Sequence, residues 1–372
     1  MEVEIQSEFR LILNLENSIL EENMKEVNFN QEYYEQIMKE FGYSPLGFEA
    51  ISYCLGNFTK EDLRRQWLCH IDGKAFADAF NCGKRVIATT GFGLSGTPHM
   101  GTLSQILRAL RLQQAGIPIQ IVLGDLDAYN GKNIPLARTQ KLAESYRKFI
   151  LNLGFKDKPP NQLRTQFDSL KTLRLAYLIG HHMDNEMFNH AEEDLYEFYA
   201  QKGKVDSSMT YRRKLSLNLM IADFLELISD DGFEAVMVIL GIDEHKYVRF
   251  GRQTLEIVSV ENPNLFLGKS YSAMYSGIIQ GFNGYPKMSK SFPKSGITVD
   301  MSVEDITELI EKGEVVTKFP ETNVVYQMIA AVSLYDNNRI SEAYDECQKQ
   351  SVTWKKIKRE YATHLSQLCQ RW

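Results

Sequence analysis

Arg85–Thr102 reads RVIATTGFGLSGTPHMGT. Its first six residues are a β-branched run, which predicts a buried strand. Gly91, Gly93 and Gly96 then punctuate the chain, and a helical pattern begins near Gly101. A strand that runs through glycines into a helix brings two things to one place. Glycines let a flat ring or a phosphate approach the backbone. The helix N-terminus offers unpaired N–H groups and a positive dipole end to an anion. His99 can add a hydrogen bond to a phosphate oxygen. Taken alone, the stretch fits a tight strand–helix turn with an incidental histidine equally well.

Working outward, the same alternation repeats. Leu103–Gly116 predicts an amphipathic helix and Ile117–Asp125 a second buried strand. Leu136–Phe155 predicts another helix, and Phe233–Asp243 a third strand with the helical stretch Lys246–Val258 behind it. Strand, helix, strand, helix, strand predicts an α/β fold with a doubly wound parallel sheet. Such sheets bind ligands at the carboxyl ends of their strands, where strand order reverses. Residues 1–84 read as a helical N-terminal extension ending at Asn81–Lys84. Residues 85–300 read as the main α/β domain, with a polar helical insertion at about 170–229. Residues 301–372 read as a small C-terminal helical domain.

The 372 residues, 44% of them hydrophobic, suffice for one large domain and a smaller one. No apolar run is long enough for a membrane span. The acidic, amphipathic start MEVEIQSEFRLILNLENSILEE lacks the form of a signal peptide, which predicts a cytoplasmic chain. Cys54, Cys69, Cys82, Cys347 and Cys369 are odd in number and irregularly spaced, which predicts reduced thiols. His181, His182 and His190 lack a clear ligand set, so no metal site is expected there. The net charge of −6 argues against general nucleic-acid binding but leaves room for local basic patches.

Far along the chain, Gly284–Asp300 reads GYPKMSKSFPKSGITVD. Lys287, Lys290 and Lys294 stand among serines, glycines and prolines. Lysines on such a loop can close over a polyphosphate and follow its charge. The Gly91, Gly93, Gly96 spacing is no dinucleotide fingerprint, because no acidic residue follows at the ribose-binding offset. Nor is it a P-loop, because no G-K-[ST] follows.

The pair H-x-G, as His99-Met100-Gly101, and K-M-S-K-S, as Lys287-Met288-Ser289-Lys290-Ser291, resembles the paired signature of class I aminoacyl-tRNA synthetases. The pentapeptide is complete, whereas the second histidine of the first motif is Thr102. Residues 91–131 further resemble the archaeal and eukaryotic-type tyrosyl and tryptophanyl subclass, with Leu94 in place of a proline and Asp125-Leu126-Asp127-Ala128-Tyr129 ending the next strand. Gly241–Gln253 and the final helix are similar to the same subclass, so the likeness spans about Arg85 to Trp372.

The resemblance implies a Rossmann-like domain that binds ATP, with Mg²⁺, and an amino acid. It implies formation of an aminoacyl-adenylate and transfer to tRNA. His99, Lys287 and Lys290 would stabilise charge on the phosphates. Gly91, Gly93, Ser95, Gly96, Gly101, Thr102, Gly241, Asp243, Met288, Ser289 and Ser291 would surround the nucleotide. Thr89, Asp127, Ser216, Met220, Asp223 and Glu244 would line the amino-acid pocket. There the family's usual tyrosine falls on Thr89, its later tyrosine and glutamine near Ser216 and Met220, and its second glutamine on Glu244, while Asp223 is kept. A helix-surface aspartate is the competing reading of Asp223. The insertion would form a homodimer contact through Met183, Met187 and Phe188. Trp354, Lys355, Lys356, Lys358 and Arg359 would either touch RNA or form a solvated helix face. Three functions follow: a tRNA ligase, favoured here; a paralog that activates an amino acid for another acceptor; and a binding module that kept the fold.

Overall fold

The computed structural model describes residues 29–46, 55–203, 205–206, 208–229, 231–261, 267–290, 292 and 295–372. Seven strands form one sheet: β1 Ser44–Pro45, β2 Cys69–Ile71, β3 Val86–Gly93, β4 Ile119–Gly124, β5 Gln162–Thr165, β6 Ala235–Gly241 and β7 Ser270–Ser276. Their order is β1-β2-β7-β6-β3-β4-β5. β5, β4, β3, β6 and β7 are mutually parallel, each with its neighbour. From β3 the chain steps outward to β4 and β5, then crosses back to β6 and β7. Strand order therefore reverses between β3 and β6, and a crevice opens at their carboxyl ends. β4 and β6 are buried at every position, which explains why their sequences are continuous apolar runs rather than alternating ones.

The sheet does not begin at Arg85. β2 pairs antiparallel with β7, Cys69 opposite Tyr275 and Ile71 opposite Ala273, and β1 pairs with β2. The region before Lys84 is thus not purely helical. Two and three residues are too few to show a period, so only pairing with β7 reveals them as strands. β5 and β7 also escape the sequence. QLRT is polar and short, and SYSAMYS is rich in serine, although all but its first residue are buried.

Hydrophobic clusters cover both faces. One joins the helix Met100–Gln114 to Tyr146, Phe149 and the C-terminal residues Trp354 and Tyr361. The other centres on the helix Tyr211–Ser229 and reaches Phe250. That helix, with Leu170–Ile179 packed on it, forms the β5-to-β6 crossover. Met187 and Phe188 are buried within the chain, Phe188 with its ring 5.2 Å from that of Phe250. The expected two-fold contact through these two is therefore corrected: they belong to the core. Among its described residues, this region exposes Leu170, Tyr177, Leu178 and Tyr211 most, and Leu215 to a lesser degree. His182 lies 3.7 Å from Glu261, and among the described residues no group of three or more His, Cys, Asp or Glu is placed to hold a metal. No described helix is long and apolar enough to cross a membrane.

The C-terminal helix Val352–Cys369 corrects the expectation for Trp354 and Lys358. Trp354 is buried, and Lys358 is buried in an ion pair with Glu314. Arg359 pairs with Glu311 at 2.8 Å, and Lys356 stands 3.8 Å from Glu360. Trp354 and Lys358 form an intramolecular seam with the segment around Glu311–Glu314, while Lys355, Lys356 and Arg359 stay on an exposed helix face.

Candidate active site

The crevice holds a cavity of about 270 Å³. One end of it is built by the segments that carry His99 and the lysines. His99 caps the helix Met100–Gln114 by accepting a hydrogen bond at Nδ1 from Thr102 N, 3.3 Å away. Its proton then sits on Nε2, free to be donated. Burial, reinforced by Lys290 and Lys287, holds the imidazole well below its ordinary value, so it stays a neutral donor. A Cβ at Gly101 would lie 2.8 Å from His99 Cε1, so only glycine leaves the ring its place.

The second segment lies against the first. Met100 N donates to Ile297 O at 3.1 Å, and Val299 N donates to Pro98 O at 3.0 Å. Two motifs distant in sequence are thus stitched by backbone hydrogen bonds. Lys290 Nζ donates to Gly93 O at 2.8 Å and lies 5.4 Å from the Tyr146 ring centre. Tyr146 in turn donates to Gly96 O at 3.0 Å. Burial pulls the Lys290 ammonium down to about 8. Met288 is buried, and Ser289 N donates to Ser295 Oγ at 2.8 Å. Ser291 lies outside the described residues.

Lys287 takes a different setting. Its ammonium pairs with Asp243 and, at 2.9 Å, with Glu193. A Cβ at Gly241 would fall 2.5 Å from Asp243 Oδ1, so glycine gives that carboxylate room. Next to it, burial and then the charge of Asp243 push the Glu244 carboxyl up to about 8. Lys132 also lines the cavity, 5.5 Å from the Tyr199 ring centre, and burial lowers its ammonium.

The far end, under β3 and β4, is a charged network. Asp223 is buried, so the helix-surface alternative is excluded. It pairs with Arg164 at 2.9 Å and accepts from Gln166 Nε2 at 2.7 Å. Burial raises its carboxyl, and Arg164 opposes that rise. Arg164 also reaches Glu226 at 3.3 Å and donates to Gln120 Oε1 at 3.1 Å. Gln166 Oε1 accepts from Asp127 N at 2.8 Å, tying Asp127 to Asp223.

Of the residues singled out in the sequence, the cavity is lined by His99, Lys287, Lys290, Gly91, Gly93, Ser95, Gly101, Thr102, Gly241, Asp243, Met288, Ser289, Asp127, Met220, Asp223 and Glu244. Gly96 stands behind Lys290, with a Cβ position 3.6 Å from the lysine's Cβ. Thr89 and Ser216 do not line it. Thr89 accepts from Gln120 at 3.1 Å inside the sheet, and Ser216 donates to Asp127. The alternation of a strand turns Thr90, not Thr89, toward the cavity. Nothing in the sequence marked Arg164, Gln166, Glu193 or Lys132. Arg164 lies on a strand too short to detect, and Gln166 just after it. Glu193 belongs to a crossover with no motif, and only the lysine it answers, Lys287, was visible.

Residues 81–370 match the family described as tRNA synthetases class I (W and Y). The tryptophan–tRNA ligase of Methanocaldococcus jannaschii is 24% identical over 88% of this chain and 87% of its own length. The tyrosine–tRNA ligase of Methanosarcina acetivorans is 24% identical over 60% of this chain and 64% of its own. Among solved structures, the tryptophanyl-tRNA synthetase of Aeropyrum pernix superposes with a TM-score of 0.73 at 19% identity, covering 92% of each chain. The motif pair on one crevice and the family match over most of the chain agree: this protein belongs to the class I tRNA synthetases of the tryptophan and tyrosine type.

Proposed function

We propose that the cleft activates an aromatic amino acid, tyrosine or tryptophan, with ATP and transfers it to tRNA. The observation that carries this reading is the convergence of His99, Lys287 and Lys290 on the crevice at the strand-order reversal. A carboxylate oxygen of the amino acid would bond to the α-phosphorus as the α–β bridging oxygen leaves with pyrophosphate. No protein nucleophile is required; positioning and charge stabilisation supply the rate. His99 Nε2–H, Lys290 and Lys287 would take up the charge that grows on the phosphates. Mg²⁺ would arrive with the nucleotide as part of the substrate.

At the other end, Asp223 would accept from the phenol or indole donor, with Arg164 and Gln166 fixing its carboxylate. Glu244 would face the substrate ammonium, and once ionised, above about pH 8, it would bind that ammonium more strongly than a neutral amide would. Exposed Leu170, Tyr177, Leu178 and Tyr211 would form the homodimer contact, and the protein would work in the cytoplasm. ATP–pyrophosphate exchange with each of the twenty amino acids tests the activation. We expect exchange with tyrosine or tryptophan alone, followed by charging of total tRNA. Exchange without charging would move the acceptor elsewhere, and exchange with no amino acid would overturn the reading.

A further inference from the structure

The segment before the family match is wired into the site. The helix Gln31–Phe41 is capped by Asn30, which accepts from Tyr33 N at 2.9 Å, and ends at Gly42 in the left-handed region. From this helix Tyr33 donates its hydroxyl to Asp194, while its ring packs edge-on against Phe29 at 5.0 Å. Tyr34 accepts from Ile278 N at 3.0 Å, and Tyr43 hydrogen-bonds His245 Nδ1 at 2.8 Å. Asp194 also pairs with Lys246 at 2.7 Å and lies 3.5 Å from His245. Burial opposes the charge on Asp194, but His245, Lys246 and Tyr33 outweigh it and hold the carboxyl at about 2.

Asp194 is tied through the backbone to both residues whose carboxylates hold Lys287. Its neighbour Glu193 accepts from Lys287 at 2.9 Å, and its own N–H donates to Asp243 O at 3.0 Å. Lys287, Lys132 and Arg213 overcome the burial of Glu193 and keep it ionised. An ammonium has three N–H donors, so a lysine held by two carboxylates has at most one left for a polyphosphate and offers it more only by leaving one of them.

We infer that Glu193 and Tyr33 are positioning residues for Lys287, setting the strength with which the lysine is kept from an incoming polyphosphate. Tyr33 acts through Asp194, and Glu193 acts by direct contact. The inference rests on the proposed role of Lys287 at the phosphates.

Calorimetric titration of the full chain with Mg·ATP, and with inorganic tripolyphosphate as the probe of the anion site alone, tests it. Glu193→Gln should tighten both ligands roughly fivefold, the scale of one partly buried ion pair. Tyr33→Phe, isosteric in its ring and remote from the cleft, should tighten them about twofold, the scale of one hydrogen bond. Glu193→Asp should return affinity toward the wild-type value. The gain must vanish in a Lys287→Ala background, which a merely structural effect would not do. Unchanged or weaker affinity in Glu193→Gln and Tyr33→Phe, or an equal gain without Lys287, would overturn the inference. Titration needs no turnover, so its failure is distinct from absent ATP–pyrophosphate exchange, which would overturn the activation reading instead.

Discussion

The two ends of the cleft are built on different principles. The end proposed to face the phosphates is local. His99, Gly101 and Thr102 lie within one turn, and the lysine segment docks on them through backbone hydrogen bonds to Pro98 and Met100. The far end is assembled from pairs: Arg164 with Asp223, Gln166 with Asp127 and Asp223, Ser216 with Asp127. Phosphates present the same charge in every reaction of this kind, so a short fixed geometry suffices. A side-chain pocket must discriminate by satisfying particular donors and acceptors, and those partners come from several elements.

That contrast can be broken from either end. The largest effect should come from Lys290→Ala. Loss of a donor aimed at developing charge should slow adenylate formation by about 10²–10³-fold while leaving amino-acid affinity nearly unchanged. Pre-steady-state adenylate formation beside equilibrium binding reads both, and equal loss of the two would remove Lys290 from its assigned role. At the far end the effect should move to stability. Asp223→Ala leaves Arg164 with a weaker set of partners in a buried place and should cost on the order of 3 kcal/mol in urea unfolding. It should also blur the preference among amino acids.

The smallest effect should be the pH response of Glu244. Its carboxyl is raised from 4.5 to about 8. The folded chain therefore holds a proton there that the unfolded chain has released between those values. Stability through this group falls as pH rises across that window. Glu244→Gln should flatten the decline, seen as a shallower slope of Tm against pH. It should also weaken amino-acid binding above pH 8, where the ionised carboxylate would face the ammonium. A slope unchanged by the substitution would mean that Glu244 is not held protonated.

The expectations that failed share a cause. Met187, Phe188, Trp354 and Lys358 read as surface groups because each sits in a polar stretch. The structure buries all four against partners distant in sequence. Thr89 and Ser216 read as pocket residues because they align with positions that carry side chains long enough to reach a ligand. Short hydroxyls there are satisfied instead by Gln120 and Asp127. By contrast, β3, β4 and β6 were legible because burial on both faces demands unbroken apolar runs.

The sequence by itself determined the parallel run of β3, β4 and β6 and the two separate motifs that carry His99 and the pair Lys287 and Lys290. Each of these depends on residues close together in the chain or on a local period. Tertiary structure alone decided that β1 and β2 extend the sheet, that Arg164 and Gln166 hold Asp223, and that Tyr33 reaches Lys287 through Asp194 and Glu193. Those contacts join residues that no local pattern connects, and their energies exist only once burial has removed the water between them.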